Sequence, residues 1–183
     1  MIDALAYYNR TRCAHIKIFA LARNKACMTS RFSHVPNITF IEQDITTQLD
    51  PNLSFDYILH SASPADPIAY ATNPCQTIQT NVIGTTTVLE HALKHPGTRV
   101  VFYSTMEVYG SGITNVRFRE DDYGLIDYSQ VRSGYPESKR TAGNRKRDHQ
   151  IHSNHSGFHA HKCSGAGKNR NTGTAGTKQT TAP

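Results

Sequence analysis

No stretch of this 183-residue chain approaches the ~20 consecutive apolar residues that a membrane-spanning helix needs. The first residues lack the charged, apolar and small-residue blocks of a secretory signal. The four cysteines (Cys13, Cys27, Cys75 and Cys163) are scattered and never spaced C-x-x-C. Without a secretory signal, the expectation is reduced thiols in a cytoplasmic protein. A nucleic-acid-binding domain is not indicated either, although the formal net charge is +6. Residues 144–183 carry seven Lys/Arg against one Asp, which accounts for all of it; residues 1–143 carry thirteen basic and thirteen acidic side chains. Residues 144–183 also hold only Ile151 and Phe158 as large apolar side chains. Such a segment buries too little to offset its ordering entropy, so a disordered, basic, His/Gly-rich tail is expected there. The tail's His149, His152, His155, His159, His161 and Cys163 have no closed structural-metal spacing. Its cations lack the interleaved aromatics of specific nucleic-acid recognition. Neither a metal site nor a specific nucleic-acid partner is expected.

The remaining residues, 1–143, suffice for one domain core. Residues 1–15 read as a short helix with Ile2, Leu5 and Tyr8 on one face. Residues 16–22 (IKIFALA) are a compact apolar run typical of a buried parallel strand, followed by a polar, helically spaced stretch over 24–34. Residues 38–41 (ITFI), 55–60 (FDYILH) and 99–103 (RVVFY) read as further strands. Asn73 and Pro74 suit a helix start, as cap and first residue. From there Ile78, Val82, Leu89 and Leu93 recur on one face until His95-Pro96-Gly97 stops the helix. Strand–helix alternation at this spacing predicts an α/β fold built on a parallel sheet. Ligands of such sheets sit beyond the carboxyl ends of the strands, where Arg23, Asp44, Ser61 to Ser63 and Ser104 to Glu107 fall.

The chemistry centres on Ser133-Gly134-Tyr135-Pro136-Glu137-Ser138-Lys139. Tyr135 and Lys139 are four residues apart, on one face of a helix, and Pro136 is tolerable in a first turn. A free phenol ionises near pH ~10, and a neighbouring ammonium favours the phenolate, which makes a general base. Alone, such a pair is in most cases a partly buried Tyr beside a surface Lys. The polar strand ends converging on one rim supply the context.

Taken in order, Asp44-Ile45, His60-Ser61-Ala62-Ser63-Pro64, Asn73-Pro74, Thr80-Asn81-Val82-Ile83-Gly84-Thr85, Ser104-Thr105-Met106-Glu107-Val108-Tyr109-Gly110 and Tyr135-Pro136-Glu137-Ser138-Lys139 resemble the extended short-chain dehydrogenase/reductase superfamily. Within it the chain is similar to the NAD-dependent sugar-nucleotide epimerase/dehydratase family. It looks most like UDP-glucuronate decarboxylases, with dTDP-glucose 4,6-dehydratases second and 4-epimerases a further alternative. The resemblance covers about residues 2–143 and implies a Rossmann-type doubly wound parallel sheet. It implies NAD as cofactor, a nucleotide-sugar substrate and a homodimer. Tyr135 would take the proton from a sugar hydroxyl, and Lys139 would favour its ionised form and hold the nicotinamide ribose. Thr105 would hydrogen-bond the reacting hydroxyl, and Glu107 would assist the later decarboxylation or water loss. Asp44 and Ile45 would flank the adenine, Ala62 and Ser63 would line the cofactor cleft, and Asn81 would brace the active-site backbone. A transient 4-ketone activates the sugar's β-position, so reversible oxidation makes the second step feasible.

Three departures qualify these expectations. The family's opening strand and G-x-x-G-x-x-G turn have no counterpart, since no glycine precedes residue 16. A partial sheet lacking its first strand is therefore expected. Ala22-Arg23-Asn24 stands where an acidic ribose-binding residue belongs; Arg23 could favour a 2′-phosphate, hence NADP, or be solvated surface. Met106 replaces the usual polar residue, an Asp in the dehydratases. Finally the pattern stops after Ala142, as a reading-frame change would make it, placing the domain boundary at 143/144. Two outcomes stand: an NAD(P)-dependent sugar-nucleotide enzyme, impaired in this chain, or a non-catalytic remnant.

Overall fold

The computed structural model describes residues 1–64, 66–111, 118–119, 122 and 124–153, with the backbone alone for 146–153. Its elements run α1 (Ile2–Arg12), β1 (Ile18–Ala22), α2 (Lys25–Phe32), β2 (Ile38–Glu42), β3 (Tyr57–His60), α3 (Pro67–Thr72), α4 (Pro74–Lys94), β4 (Arg99–Phe102) and α5 (Gly134–Ser153). Single 3-10 turns occupy Met106–Tyr109 and Val131–Ser133. The α/β alternation expected from the sequence is thus present, with all strand pairing parallel. β1 pairs with β2, Ile18 opposite Ile38, and β3 pairs with β4, Tyr57 opposite Arg99.

The strands form two two-stranded ribbons rather than one sheet. The break falls between β1 and β3, where the strand order of a doubly wound sheet puts its first strand. Among the described residues no strand pairs with the facing edges of β1 and β3. Rings bridge the break instead. Phe19 of β1 meets Phe55, just ahead of β3, edge-on with centroids 5.3 Å apart, and His91 of α4 lies 5.7 Å from Phe55.

Several local expectations shift for identifiable reasons. β1 starts at Ile18 because the Asn9 side chain takes both backbone groups of Ile16: its amide donates to the Ile16 carbonyl (2.8 Å) and its oxygen accepts the Ile16 N–H (3.0 Å). α1 fully buries no residue, and Tyr8 points to solvent. Helix α3 was not anticipated, although its start is written in Asp66-Pro67: the Asp66 carboxylate accepts the Ile68 N–H at 3.0 Å. Asn73 does begin α4, but its side chain caps nothing and bonds Gln76, while its N–H closes α3 on the Ala69 carbonyl.

The buried face of α4 is only in part the apolar one that periodicity predicts: Leu89 is buried and Val82 half-buried. Ile78 and Leu93 are exposed, whereas Thr77, Asn81, Gly84, Thr85, Val88, Leu89 and His91 are buried. Buried hydroxyls are tolerated there because each returns its proton to the helix's own backbone. Thr85 donates to the Asn81 carbonyl (2.6 Å) and Thr77 to the Asn73 carbonyl (3.1 Å). Helix α5 continues to Ser153, past the 143/144 boundary where disorder was expected to begin. Arg145 reaches the Thr86 hydroxyl on α4 and tethers this extension, and its Arg, Lys and Gln residues favour helix. The rest of the expected tail, 154–183, lies outside the described residues. No helix among the described residues is long and apolar enough to cross a membrane.

Candidate active site

Gly134 opens α5, its N–H bonded to the Arg132 and Val131 carbonyls of the preceding 3-10 turn. This entry turns Tyr135 and Lys139 inward together, and both are buried. The Lys139 ammonium donates to the Tyr103 carbonyl at 2.9 Å, where β4 ends, and lies 4.9 Å from the centre of the Phe102 ring. A carbonyl and a ring face solvate the cation, with no carboxylate paired to it among the described residues. Burial pushes Lys139 down to about 8, so it still carries its charge at neutral pH.

Two buried relays meet at Asn81, the first tying α5 to α4 and the second tying α4 to β3. The Asn81 amide of α4 donates to the Ser138 hydroxyl (2.8 Å), which donates to the Tyr135 carbonyl (2.8 Å). Because Ser138 has given its only proton to Tyr135, Asn81 must present its NH2, which fixes the orientation of the amide. Asn81 is wholly buried, and its Oδ1 has no partner among the described residues. The second relay starts at His60, the last residue of β3. Its Nε2 lies 3.1 Å from the Thr85 hydroxyl, whose proton is already on the Asn81 carbonyl, so Nε2 carries the hydrogen. Burial, reinforced by the Lys139 charge, pushes His60 down to about 4. It is neutral at pH 7 and adds no repulsion beside Lys139.

The β4 rim carries the next two residues. Thr105 caps the turn Met106–Tyr109 by accepting the Glu107 N–H at 3.3 Å, which leaves its O–H free to donate. Glu107 is half-buried between two partners. The Tyr70 hydroxyl donates to its Oε1 at 3.4 Å, and an Arg132 nitrogen stands 3.3 Å from its Oε2. Tyr70 in turn stacks on Tyr135, centroids 4.6 Å apart and rings 12° from parallel. Burial first, and then Glu107, push the Tyr70 phenol up, which keeps it a hydrogen-bond donor. Met106 is exposed and contributes no polar group.

Tyr135, Lys139, Asn81, Thr105 and Glu107 are therefore brought together. Asp44, Ile45 and Arg23 form a separate cluster beyond β1 and β2. The Asp44 Oδ1 accepts the Thr46 N–H (2.9 Å) and hydroxyl (2.8 Å), and these bonds, aided by the Arg23 charge, hold its carboxyl below the usual range. Ile45 lies over Gly84 of α4, where an added Cβ would meet the Ile45 Cγ2 at 2.8 Å. Arg23 is exposed. Ala62 and Ser63 are half-buried after β3, and the Ser63 hydroxyl donates to the Pro64 carbonyl at 3.2 Å.

These residues fit the two ends of a dinucleotide. Asp44 keeps Oδ2 without a hydrogen-bond partner among the described residues, and Ile45 offers an apolar surface beside it. At the other end Tyr135, Lys139 and Thr105 supply phenol, ammonium and hydroxyl. None of the described residues stands out as a pyrophosphate ligand, and they include no group of three or more His, Cys, Asp or Glu suited to a metal.

The sequence did not single out Tyr70, Arg132, Ser138 or His60 for these roles. Tyr70 could have been reached through the Asp66-Pro67 helix start. The other three owe their places to partners far along the chain.

The sequence model of the NAD dependent epimerase/dehydratase family matches residues 7–150. UDP-glucuronic acid decarboxylase 6 of Arabidopsis thaliana is 42% identical over 107 residues, 58% of this chain and 30% of that protein. UDP-glucuronic acid decarboxylase 1 of Danio rerio is 39% identical over 106 residues, 58% of this chain and 24% of that protein. The match thus spans 30% or less of these relatives' length. Among solved structures, the UDP-glucose 4-epimerase of Thermotoga maritima superposes with a TM-score of 0.66 at 17% identity, over 84% of this chain and 49% of that one. The dTDP-glucose 4,6-dehydratase of Bacillus anthracis, solved in complex with NAD, superposes with a TM-score of 0.61 at 22% identity, over 84% of this chain and 48% of that one. At such identities the structures speak for the Rossmann-type fold alone.

Proposed function

We propose that this chain, which belongs to the NAD dependent epimerase/dehydratase family, carries the catalytic residues of a nucleotide-sugar-modifying site. The reading it fits best is a UDP-glucuronate decarboxylase-like reaction through a 4-keto intermediate. One observation carries the proposal: the buried Tyr135 shares a helix face with the Lys139 cation and is joined to Glu107 through the stacked Tyr70. A proton acceptor, a cation and a carboxylate near one another are what an oxidation followed by a proton-managed second step requires.

NAD, when bound, supplies the hydride acceptor and afterwards the hydride donor. Asp44 and Ile45 would hold its adenosine, and Lys139 its nicotinamide ribose, with Ala62 and Ser63 along the cleft. Tyr135 accepts the proton of the sugar 4-hydroxyl as the C4–H bond breaks, and Thr105 donates a hydrogen bond to the same oxygen. Lys139 balances the charge on the phenolate. Once the 4-ketone has formed, the bond from C5 to the carboxylate can break with its electrons drawn into the enolate. Glu107 then manages the proton that C5 takes up, and Tyr135 returns its own to O4. Met106 has no proton to give, which argues against a dehydratase reading at this position.

The test uses the full chain with NAD and UDP-glucuronate. Mass spectrometry should find UDP-pentose and CO2, and Tyr135→Phe should abolish both. Calorimetry with NAD and NADP separately decides what Arg23 does: a preference for NADP would make it a phosphate ligand. A folded chain that binds neither dinucleotide and releases no CO2 would leave the non-catalytic reading.

A further inference from the structure

We infer that Arg140 is a positioning residue: it ties the turn carrying Glu107 to the helix carrying Tyr135 and Lys139, and so governs the second chemical step while leaving the first alone. The inference rests on the reading above. It assigns to one of the two steps a residue whose hydrogen bonds among the described residues go to backbone carbonyls.

Arg140 follows Lys139 on α5 and is half-buried. Its Nε donates to the Val108 carbonyl at 2.6 Å, and one terminal nitrogen donates to the Gly124 carbonyl at 2.8 Å. The other terminal nitrogen stands 3.8 Å from a Glu137 oxygen on the same helix. The two carbonyls belong to segments that cross beyond the β4 rim. Ser111 and Leu125 exchange backbone hydrogen bonds of 2.8 and 2.9 Å there. The crossing is so tight that a Cβ on Gly124 would run into the Tyr109 carbonyl. One planar fork thus pins both sides of the crossing to α5.

Val108 is the residue after Glu107, inside the turn Met106–Tyr109. A single 3-10 turn has little to fix its own orientation. Its internal bonds are the Val108 N–H to the Thr105 carbonyl (3.4 Å) and the Gly110 N–H to the Glu107 carbonyl (3.0 Å). The Glu107 carboxylate is held loosely from its far side, by a hydroxyl at 3.4 Å and by the exposed Arg132. The charge-assisted bond from Arg140 to Val108 is the short tie between the backbone beneath Glu107 and α5.

The groups of the first step draw their places from elsewhere. Tyr135 is set by Ser138 and Asn81, and Lys139 by the Tyr103 carbonyl. Thr105 follows Tyr103, whose N–H is bonded to the His60 carbonyl at 3.1 Å. Loss of Arg140 therefore frees the Glu107 turn and leaves the Tyr135–Lys139 pair standing. Proton transfer needs heavy atoms about 2.6–3.2 Å apart, and a misplacement of about 1 Å can cost on the order of a hundredfold in rate. The step that suffers is the one in which Glu107 manages the proton taken up at C5.

The experiment is rapid mixing of the full chain and NAD with UDP-glucuronate, for the native protein, Arg140→Gln and Arg140→Lys, each first tested for a cooperative melt. Absorbance follows the formation and decay of reduced nicotinamide, and mass spectrometry follows UDP-pentose. Arg140→Gln should form reduced cofactor at nearly the native rate but deliver UDP-pentose at least about tenfold more slowly, so that the reduced form accumulates. Arg140→Lys keeps the charge without the fork and should fall between; it carries the comparison if Arg140→Gln does not melt cooperatively. An arginine that only stabilises the fold would slow both steps alike or neither. Either result overturns the positioning role and leaves the nucleotide-sugar reading intact. A native chain that forms no reduced cofactor overturns both.

Discussion

His60 makes the stability of this protein sensitive to mild acid. The imidazole is buried at the end of β3, donates to Thr85 and shares the interior with the Lys139 cation. An exposed histidine in the unfolded chain titrates near 6.5, whereas folding pushes this one down to about 4. Between those values the unfolded chain binds a proton that the folded chain refuses, so stability falls as pH drops from 6.5 to 4 and levels off below. A gap of that size amounts to about 3 kcal/mol at full extent, of which about 2 kcal/mol is lost by pH 4.5. Against a typical total of ~5–15 kcal/mol, this is a large share. Asp44 and Asp127, held below the usual carboxylate range, also lose their contributions on acidification, so the native protein alone does not isolate the effect. His60→Gln does, since a glutamine amide can donate to Thr85 and does not titrate. Urea unfolding followed by circular dichroism at pH 7.0 and pH 4.5 should show the native chain losing about 2 kcal/mol more than the variant. Equal losses would mean that His60 titrates in the folded state much as it does unfolded, and the account of its burial would be wrong.

Four further outcomes follow from the same interior. Asn81→Ala should cost about 2–3 kcal/mol, and a double-mutant cycle with Ser138→Ala should give a coupling of about 1 kcal/mol; additive losses would mean that the relay carries no energy of its own. Gly84→Ala should destabilise by about 1–3 kcal/mol by forcing Ile45 aside, and Ile45→Ala in the same chain should relieve the strain. Tyr70→Phe should be nearly neutral in thermal melts because its bond to Glu107 is long, while Tyr70→Leu, which removes the ring stacked on Tyr135, should cost about 2 kcal/mol or more. Lys139 is held down by burial, so the native chain should gain stability as pH rises from 8 toward 10.5; Lys139→Met should abolish that gain along with any activity.

What could be read from the sequence was local. The runs IFALA, ITFIE, YILH and RVVF are legible as strands because their own side chains carry the signal, and the Tyr135–Lys139 pair shares a face by helical spacing alone. The buried side of α4 was legible only in part, since Thr77, Asn81 and Thr85 are interior only by virtue of what packs on them. Asn81 needs Ser138, 57 residues away, and His60 needs Thr85, 25 residues away. Periodicity favoured Ile78 and Leu93, which the fold leaves in solvent. Thr105 caps the turn Met106–Tyr109, and a hydroxyl that accepts in this way can still donate. Helix α5 runs to Ser153, past the 143/144 boundary drawn from composition, and the part bearing Ala142 and Arg145 is anchored on its neighbours.

The two separate ribbons bear on how this protein behaves in a tube. In a parallel strand successive amides point to alternate sides, so along β1 and β3 part of the backbone faces an edge that no strand among the described residues closes. Amides on those edges should exchange with deuterium far sooner than their neighbours facing β2 and β4, producing an every-other-residue pattern within a single strand. Open edges bordered by Phe19 and Tyr57 are also adhesive toward any extended chain. Solubility will then track protein concentration and the supply of competing strands more closely than it tracks the net positive charge, which residues 144–183 supply.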